Sequence, residues 1–249
     1  MDVHNDVPWG RGKGAAMRPI RRTDAPAWAA GSLLDTLDAV DRDALLRLGT
    51  RRRYADQDVL MTAGAVGDAV YMLLDGLVLI VGETEDGEGS ALAIRAAGEV
   101  VGELAVLDGS PRSATVRAAG PVVALRIAPT SFIAFLHSHP AAQLQVLRSV
   151  ARKLRSATQR RIETSGCDAR RRLARVLYEL AAEYGRRRPD GSLLLELSLS
   201  QRALGSLAGV SVSTTERVLA ALRAEGLLAT GYRQLVVLDP VRLTDLCGY

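Results

Sequence analysis

Apolar and polar positions along this chain follow two rhythms. Between about residues 54 and 127 the apolar residues come in short, often β-branched runs at 59–61, 70–74, 77–81, 91–94 and 122–127. Gly64, Gly67, Asp75-Gly76, Gly98, Gly102 and Asp108-Gly109 punctuate them as turns. Asp86-Gly87 sits between two such runs and has the composition of a tight hairpin. Many short strands at even spacing predict an all-β roll or sandwich.

After Pro129 the period becomes helical. Ser131 is placed to cap a short helix through Phe135, and Pro140 opens a long one. Along the long helix Leu144, Leu147, Ala151, Leu154, Thr158 and Ile162 recur three or four residues apart. This stripe either packs on the chain's own sheet or forms a seam between two subunits. The helix length and its arginine-rich opposite face favour the seam. Gly166 ends the helix, and an α-rich segment begins at Asp168. Ahead of the strands, Ser32 or Asp35 caps a helical stretch carrying Leu33, Leu34 and Leu37, and residues 1–31 read as a flexible extension broken by Pro and Gly.

Composition narrows the function. The net charge of +4 leans towards a polyanionic partner, and ten of the arginines and lysines fall between residues 148 and 175. Cys167 and Cys247 are too few for a disulfide framework or an iron–sulfur cluster, and His4, His137 and His139 lack zinc-site spacing. No apolar run approaches the roughly 20 residues of a membrane span. Neither a metal cluster, a nucleophile triad nor a pair of pocket carboxylates is present. An enzyme, such as a nucleotide phosphodiesterase, is therefore disfavoured. A cytoplasmic, metal-free protein is expected.

Two segments carry chemistry. In 98–116 Gly102 allows close backbone approach to a phosphate, and Glu103, Leu104 and Ala105 open a short helix behind it. Arg112 and Ser113 follow as an anion-binding pair, while Glu103 is placed to accept from a sugar hydroxyl. In 197–238 Ser200 caps one helix, Gly209 makes a turn and Ser211 caps a second helix with Val218, Leu219 and Leu222 buried. That is a helix-turn-helix, and Gly226, Gly231 and the run 235–238 add a wing with Arg233 near its tip. Candidate DNA contacts are Ser200, Gln201, Ser211, Ser213, Thr214, Arg217 and Arg233. Arg217 suits guanine, whereas Thr214 and Ser200 suit phosphate.

At these residues the chain resembles the CRP/FNR (cyclic-AMP receptor protein) family of bacterial transcription regulators. Its phosphate cassette, G-E-L-[AG] followed by R-S-A, is matched by Gly102-Glu103-Leu104-Ala105 and Arg112-Ser113-Ala114. The likeness runs from about Leu33 to Val237. It implies that Glu103 holds a ribose 2′-hydroxyl and that Arg112 and Ser113 hold a cyclic phosphate; serine rather than threonine after the arginine points to cAMP over cGMP. The family's adenine-reading hydroxyl pair on the dimer helix falls on Ala157 and Thr158, so one hydroxyl is missing, at about 1 kcal/mol. A different ligand (cGMP, a cyclic dinucleotide) or none is the alternative. The family's Arg-Glu base readers fall on Val212 and Ser213, and only Arg217 matches, so its usual operator does not transfer.

The expected architecture is α+β: an N-terminal extension (1–31), a cyclic nucleotide-binding β-roll (32–138), a dimerisation helix (139–166) and a winged helix-turn-helix domain (167–249). Expected partners are a second copy through 139–166, palindromic double-stranded DNA, and RNA polymerase as a further candidate.

Overall fold

The structure, a computed structural model, describes residues 28–83, 89–164, 168–196, 199–231 and 234–247, with backbone only for 160–164. Residues 1–27 of the extension, the Asp86-Gly87 turn, Gly166, Cys167 and Arg233 lie outside the described residues.

Two short helices, α1 (Leu33–Thr36) and α2 (Ala39–Leu46), open the fold. The Ser32 and Asp38 side chains cap them by accepting from the backbone N–H of Asp35 and Asp41. Eight strands follow: β1 (Thr50–Tyr54), β2 (Val59–Met61), β3 (Val70–Asp75), β4 (Leu77–Gly82), β5 (Ser90–Ala96), β6 (Val100–Val101), β7 (Thr115–Ala118) and β8 (Val122–Ile127), with helix α3 (Glu103–Asp108) between β6 and β7. They form two antiparallel sheets, ordered β1-β8-β3-β6 and β2-β7-β4-β5. The expected runs all became strands. The polar strand β1 and the short β6 and β7 were not foreseen, because Thr50-Arg51-Arg52-Arg53 carries no apolar alternation.

Strand β3 explains how the roll is filled. Tyr71 and Leu73 face an interior cluster with Met61, Val78, Val116, Val122 and Ala124. Val70 and Met72 face the other way, into a cluster with Leu33, Leu34, Leu125, Phe132, Phe135 and Val146. Both faces are covered, so the strand reads as a continuous apolar run.

Helix α4 (Pro129–Ser138) starts at Pro129, so Ser131 lies within its first turn and does not cap it. Proline at the first helical position needs no N–H partner and sets the start three residues ahead of the one Ser131 would cap. Helix α5 (Pro140–Thr164) is continuous over 25 residues. It buries Ala142, Val146 and Ser149 against the sensor, whereas Leu144, Leu147 and Leu154 are 45%, 63% and 67% exposed. The leucine stripe does not pack on the chain's own sheet.

Asp168 caps α6 (Ala169–Tyr184) through the Arg171 N–H. The last part holds β9 (Arg186–Arg187), β10 (Leu193–Leu195), α7 (Gln201–Ala208), α8 (Val212–Ala224), β11 (Leu228–Gly231), β12 (Gln234–Val237) and α9 (Pro240–Cys247). Its sheet is ordered β11-β12-β10-β9 and packs with α6–α9 around Leu173, Leu177, Leu219, Leu222 and Val237.

Candidate functional site

Arg112 follows Pro111 in an exposed turn, yet its side chain is drawn inward and is only 2% exposed. Nη1 donates to the Gly102 carbonyl at 2.7 Å, and Nη2 to the Ala69 carbonyl at 2.6 Å and Asp68 Oδ1 at 3.1 Å. Its Nε is buried without a hydrogen-bond partner. A buried guanidinium donor left unpaired costs on the order of 1–3 kcal/mol, so this is a position at which an anion would be stabilised. Gly102 adopts φ +78°, and a Cβ there would lie 2.6 Å from Arg112 Nη1 and 2.7 Å from Met61 Cε. Only glycine permits this approach.

Glu103 opens α3 beside this cradle and is 2% exposed. Its Oε1 accepts from Lys153 Nζ at 2.8 Å, and the same ammonium donates to the Val100 carbonyl at 2.6 Å. A carboxylate has about four lone-pair sites, so Glu103 can still accept from a sugar hydroxyl. Asp68 bridges two arginines, with Arg126 Nη2 2.7 Å from its second oxygen. Burial acts to raise the Asp68 carboxyl, but hydrogen bonds from Arg126 and Arg112 hold it below the usual carboxylate range.

The structure thus gathers Gly102, Glu103 and Arg112. Ala105 is buried where Gly67 packs on α3, while Leu104 is 42% exposed. Ser113 is exposed beside the cradle. Thr158 and Ala157 are exposed on α5, and Thr158 Oγ1 donates to the Leu154 carbonyl of its own helix. Next to the pocket a cleft of about 860 Å³ is lined by Arg95, Glu99, Lys153, Thr158, Glu183 and Tyr184 among others; Glu103 and Arg112 are not part of its wall.

The second site is the α7–α8 pair. Ser200 Oγ accepts from the Ala203 N–H, and Ser211 Oγ from the Thr214 N–H at 3.3 Å, so both serines hold helix starts. Gly209 makes the turn at φ +61°. Gly205 is where the helices touch: a Cβ there would lie 2.6 Å from Oγ1 of Thr215, which is fully buried. Gln201, Ser213, Glu216 and Arg217 are exposed, and Thr214 is half-buried with Arg217 Nη2 3.5 Å from its hydroxyl. The wing pairs β11 with β12 antiparallel. Arg172 of α6 donates to the Gly209 carbonyl, and Arg170 pairs with Glu225 at 2.6 Å across the end of α8.

Sequence reading missed Lys153, Asp68 and Arg126. Lys153 was visible only as one charge in a basic run. Its place in the series Ala142, Val146, Ser149, Lys153, which follows the sensor-facing side of α5, was the signal that could have found it.

Comparison with known proteins matches both parts of the chain. The family model for a cyclic nucleotide-binding domain matches residues 51–139, and that for a Crp-like helix-turn-helix domain matches 171–246. A CRP-like cAMP-activated global transcriptional regulator of Mycobacterium tuberculosis is 27% identical over 180 residues, covering 72% of this chain and 80% of the relative. The cyclic AMP receptor protein of Thermus thermophilus is 28% identical over 204 residues, 82% of this chain and 91% of the relative. A solved CRP-family regulator from Thermus thermophilus superposes with TM-score 0.68 at 28% identity, over 80% of this chain and 97% of the other. A c-di-GMP responsive global regulator from Xanthomonas campestris shares the fold with TM-score 0.68 at 23% identity, over 81% and 100%.

Proposed function

The chain belongs to the CRP/FNR family of transcription regulators, with a cyclic nucleotide-binding domain and a DNA-binding helix-turn-helix, and on that footing we propose that cAMP is its effector. The observation that carries this reading is the buried, unpartnered Nε of Arg112 beside the left-handed Gly102. Arg112, with Ser113 and the backbone at Gly102, would hold the cyclic phosphate; Glu103 would accept from the ribose hydroxyl at the expense of its bond from Lys153. The nucleotide supplies a charge that pairs with Arg112 and a hydroxyl that competes for Glu103. Leu104 and Ala105 shape the helix behind the phosphate. Thr158, one turn beyond Leu154, would meet the base where α5 meets its partner.

The exposed leucines of α5 support a homodimer through 139–166. Two copies of α8 would then read a palindromic operator through Arg217 and Ser213, with phosphate contacts from Thr214, Ser200, Gln201, Ser211 and Arg233. RNA polymerase is a further partner on this reading, and hydrolysis of the nucleotide is not expected. Among the described residues no helix is long and apolar enough to cross a membrane.

Two observations favour a second reading, a regulator working without a nucleotide or with a different one: Glu103 is already paired with Lys153, and Ala157 offers no hydroxyl to a base. Calorimetric titration with cAMP, cGMP and cyclic di-GMP, coupled to DNA-binding titrations with each, separates the two. Heat with cAMP and a changed DNA affinity support the first; intact DNA binding without heat from any of them rejects it. Chelator-sensitive opening of the cyclic phosphodiester to the nucleoside monophosphate would reopen the enzyme.

A further inference from the structure

The DNA-reading part is docked on its own sensor. Helix α7 packs across β5, and the reader's apolar core continues into the sensor through Ile94 and Ala119, with Leu77 and Leu79 packed against it. Leu79 pairs with Ile94 and Leu77 with Ala96, while Val78 belongs to the roll interior. Leu77, Leu79 and Ile94 therefore stand on the outer face of the sheet. A sheet face open to water would carry polar residues there; this one is apolar and covered. The exposed ends of Ser213, Glu216 and Arg217 stay outside the contact.

A charged edge completes the junction. Glu99 Oε1 lies 3.5 Å from Arg95 Nε, and both line the cleft together with Lys153 of α5 and with Glu183 and Tyr184 of α6. Burial pushes the Glu99 carboxyl up; Arg95 and Lys153 oppose this and the Glu183 charge adds to it. Lys153 thus faces the pocket carboxylate Glu103 and also lies within the field of Glu99.

We propose that this junction, apolar between α7 and the β4–β5 face and charged where Lys153, Glu99 and Glu183 meet, carries the state of the nucleotide pocket to the DNA reader within a single chain. The inference rests on the nucleotide reading for its input. A sugar hydroxyl donating to Glu103 competes with the Lys153 ammonium. The ammonium then turns towards Glu99, offsets its repulsion with Glu183 and tightens the dock. That gives the ligand different contacts in two states, which coupling requires. Transmission through the helix seam needs a second copy, and this route does not.

The full chain is melted by scanning calorimetry as parent, Ile94→Asp and Leu79→Ser. A docked reader melts with the sensor in one transition, and each substituted chain gives two, with the sensor's own transition retained. Leu79→Ser, at a half-buried position, keeps the test available if Ile94→Asp fails to fold. Titration with cAMP then follows. The variants bind it within about twofold of the parent, but the cAMP-induced change in DNA affinity, about tenfold for coupling of ordinary size, falls below about twofold. A parent that melts in two independent transitions, or variants that keep the parent's melting and its response, overturn the proposal. If the parent binds no cyclic nucleotide, the effector reading falls and the melting comparison alone decides the junction.

Discussion

Replacing Lys153 by methionine isolates the tie between pocket and helix. The ammonium lies 2.8 Å from a carboxylate that is 2% exposed and also satisfies the Val100 carbonyl at 2.6 Å. Removing one partner of a fully buried pair costs about 3–5 kcal/mol. The Lys153 side chain keeps 18% exposure, so partial solvent access to the site lowers the figure to about 2.5 kcal/mol. At about 1.4 kcal/mol per decade this is roughly a 60-fold shift in the unfolding equilibrium. With a urea slope of about 2 kcal/mol per molar, the midpoint falls by about 1.2 M. Methionine retains the apolar stem, so the loss reports the charge rather than the packing. In the double variant Glu103→Gln with Lys153→Met neither position carries a charge, and at least half of the loss returns. A single variant losing less than about 0.5 kcal/mol, or a double variant equal to the sum of its parts, would refute the reasoning.

Four further outcomes are expected. Gly102→Ala places a methyl against Arg112 at a left-handed backbone position, so it should cost about 1–2 kcal/mol and weaken cAMP binding at least about tenfold, read by calorimetry. Leu147→Glu on the exposed stripe should convert a dimer to a monomer in analytical ultracentrifugation without changing the helix content. Arg217→Ala should weaken operator binding by about 1–3 kcal/mol and relax sequence preference at one position, read by competition with single-base operator variants. Because the folded-state Asp68 carboxyl sits below its ordinary value, its stabilisation is present above about pH 4 and is lost as pH falls through the depressed value. Asp68→Asn should flatten that acid limb by about 0.5 kcal/mol, the side chain being 64% exposed; unchanged urea midpoints at pH 3 and pH 7 relative to the parent would count against the pairing.

Much of this architecture was legible in the chain because its signals are local. The strands at 59–61 and 122–127, the Pro140 helix start, and the caps at Ser200 and Ser211 rest on periodicity and capping, which act within a few residues. What escaped depends on distant partners. Strand β1 exists because β8 pairs with it over five residues, and three arginines in a row give no hint of that. Arg112 was legible as an anion-binding residue, but its burial was not: the carbonyls of Gly102 and Ala69, brought in by the roll, draw it inside. Lys153 acquired meaning only when α5 brought its ammonium to Glu103 at the start of α3.

That bond makes α5 act as a shaft. Lys153, held by the pocket, and Leu154, on the open stripe, are adjacent residues, so they project about 100° apart from one axis. Any turn of the helix that eases the lysine's grip turns the leucine by the same angle. At a side-chain radius of about 5 Å, a 10° twist sweeps Leu154 through roughly 0.9 Å. Displacements of this order decide whether knobs meet holes in a helix pair, so the two faces of α5 are geared to each other by the geometry of the peptide backbone itself.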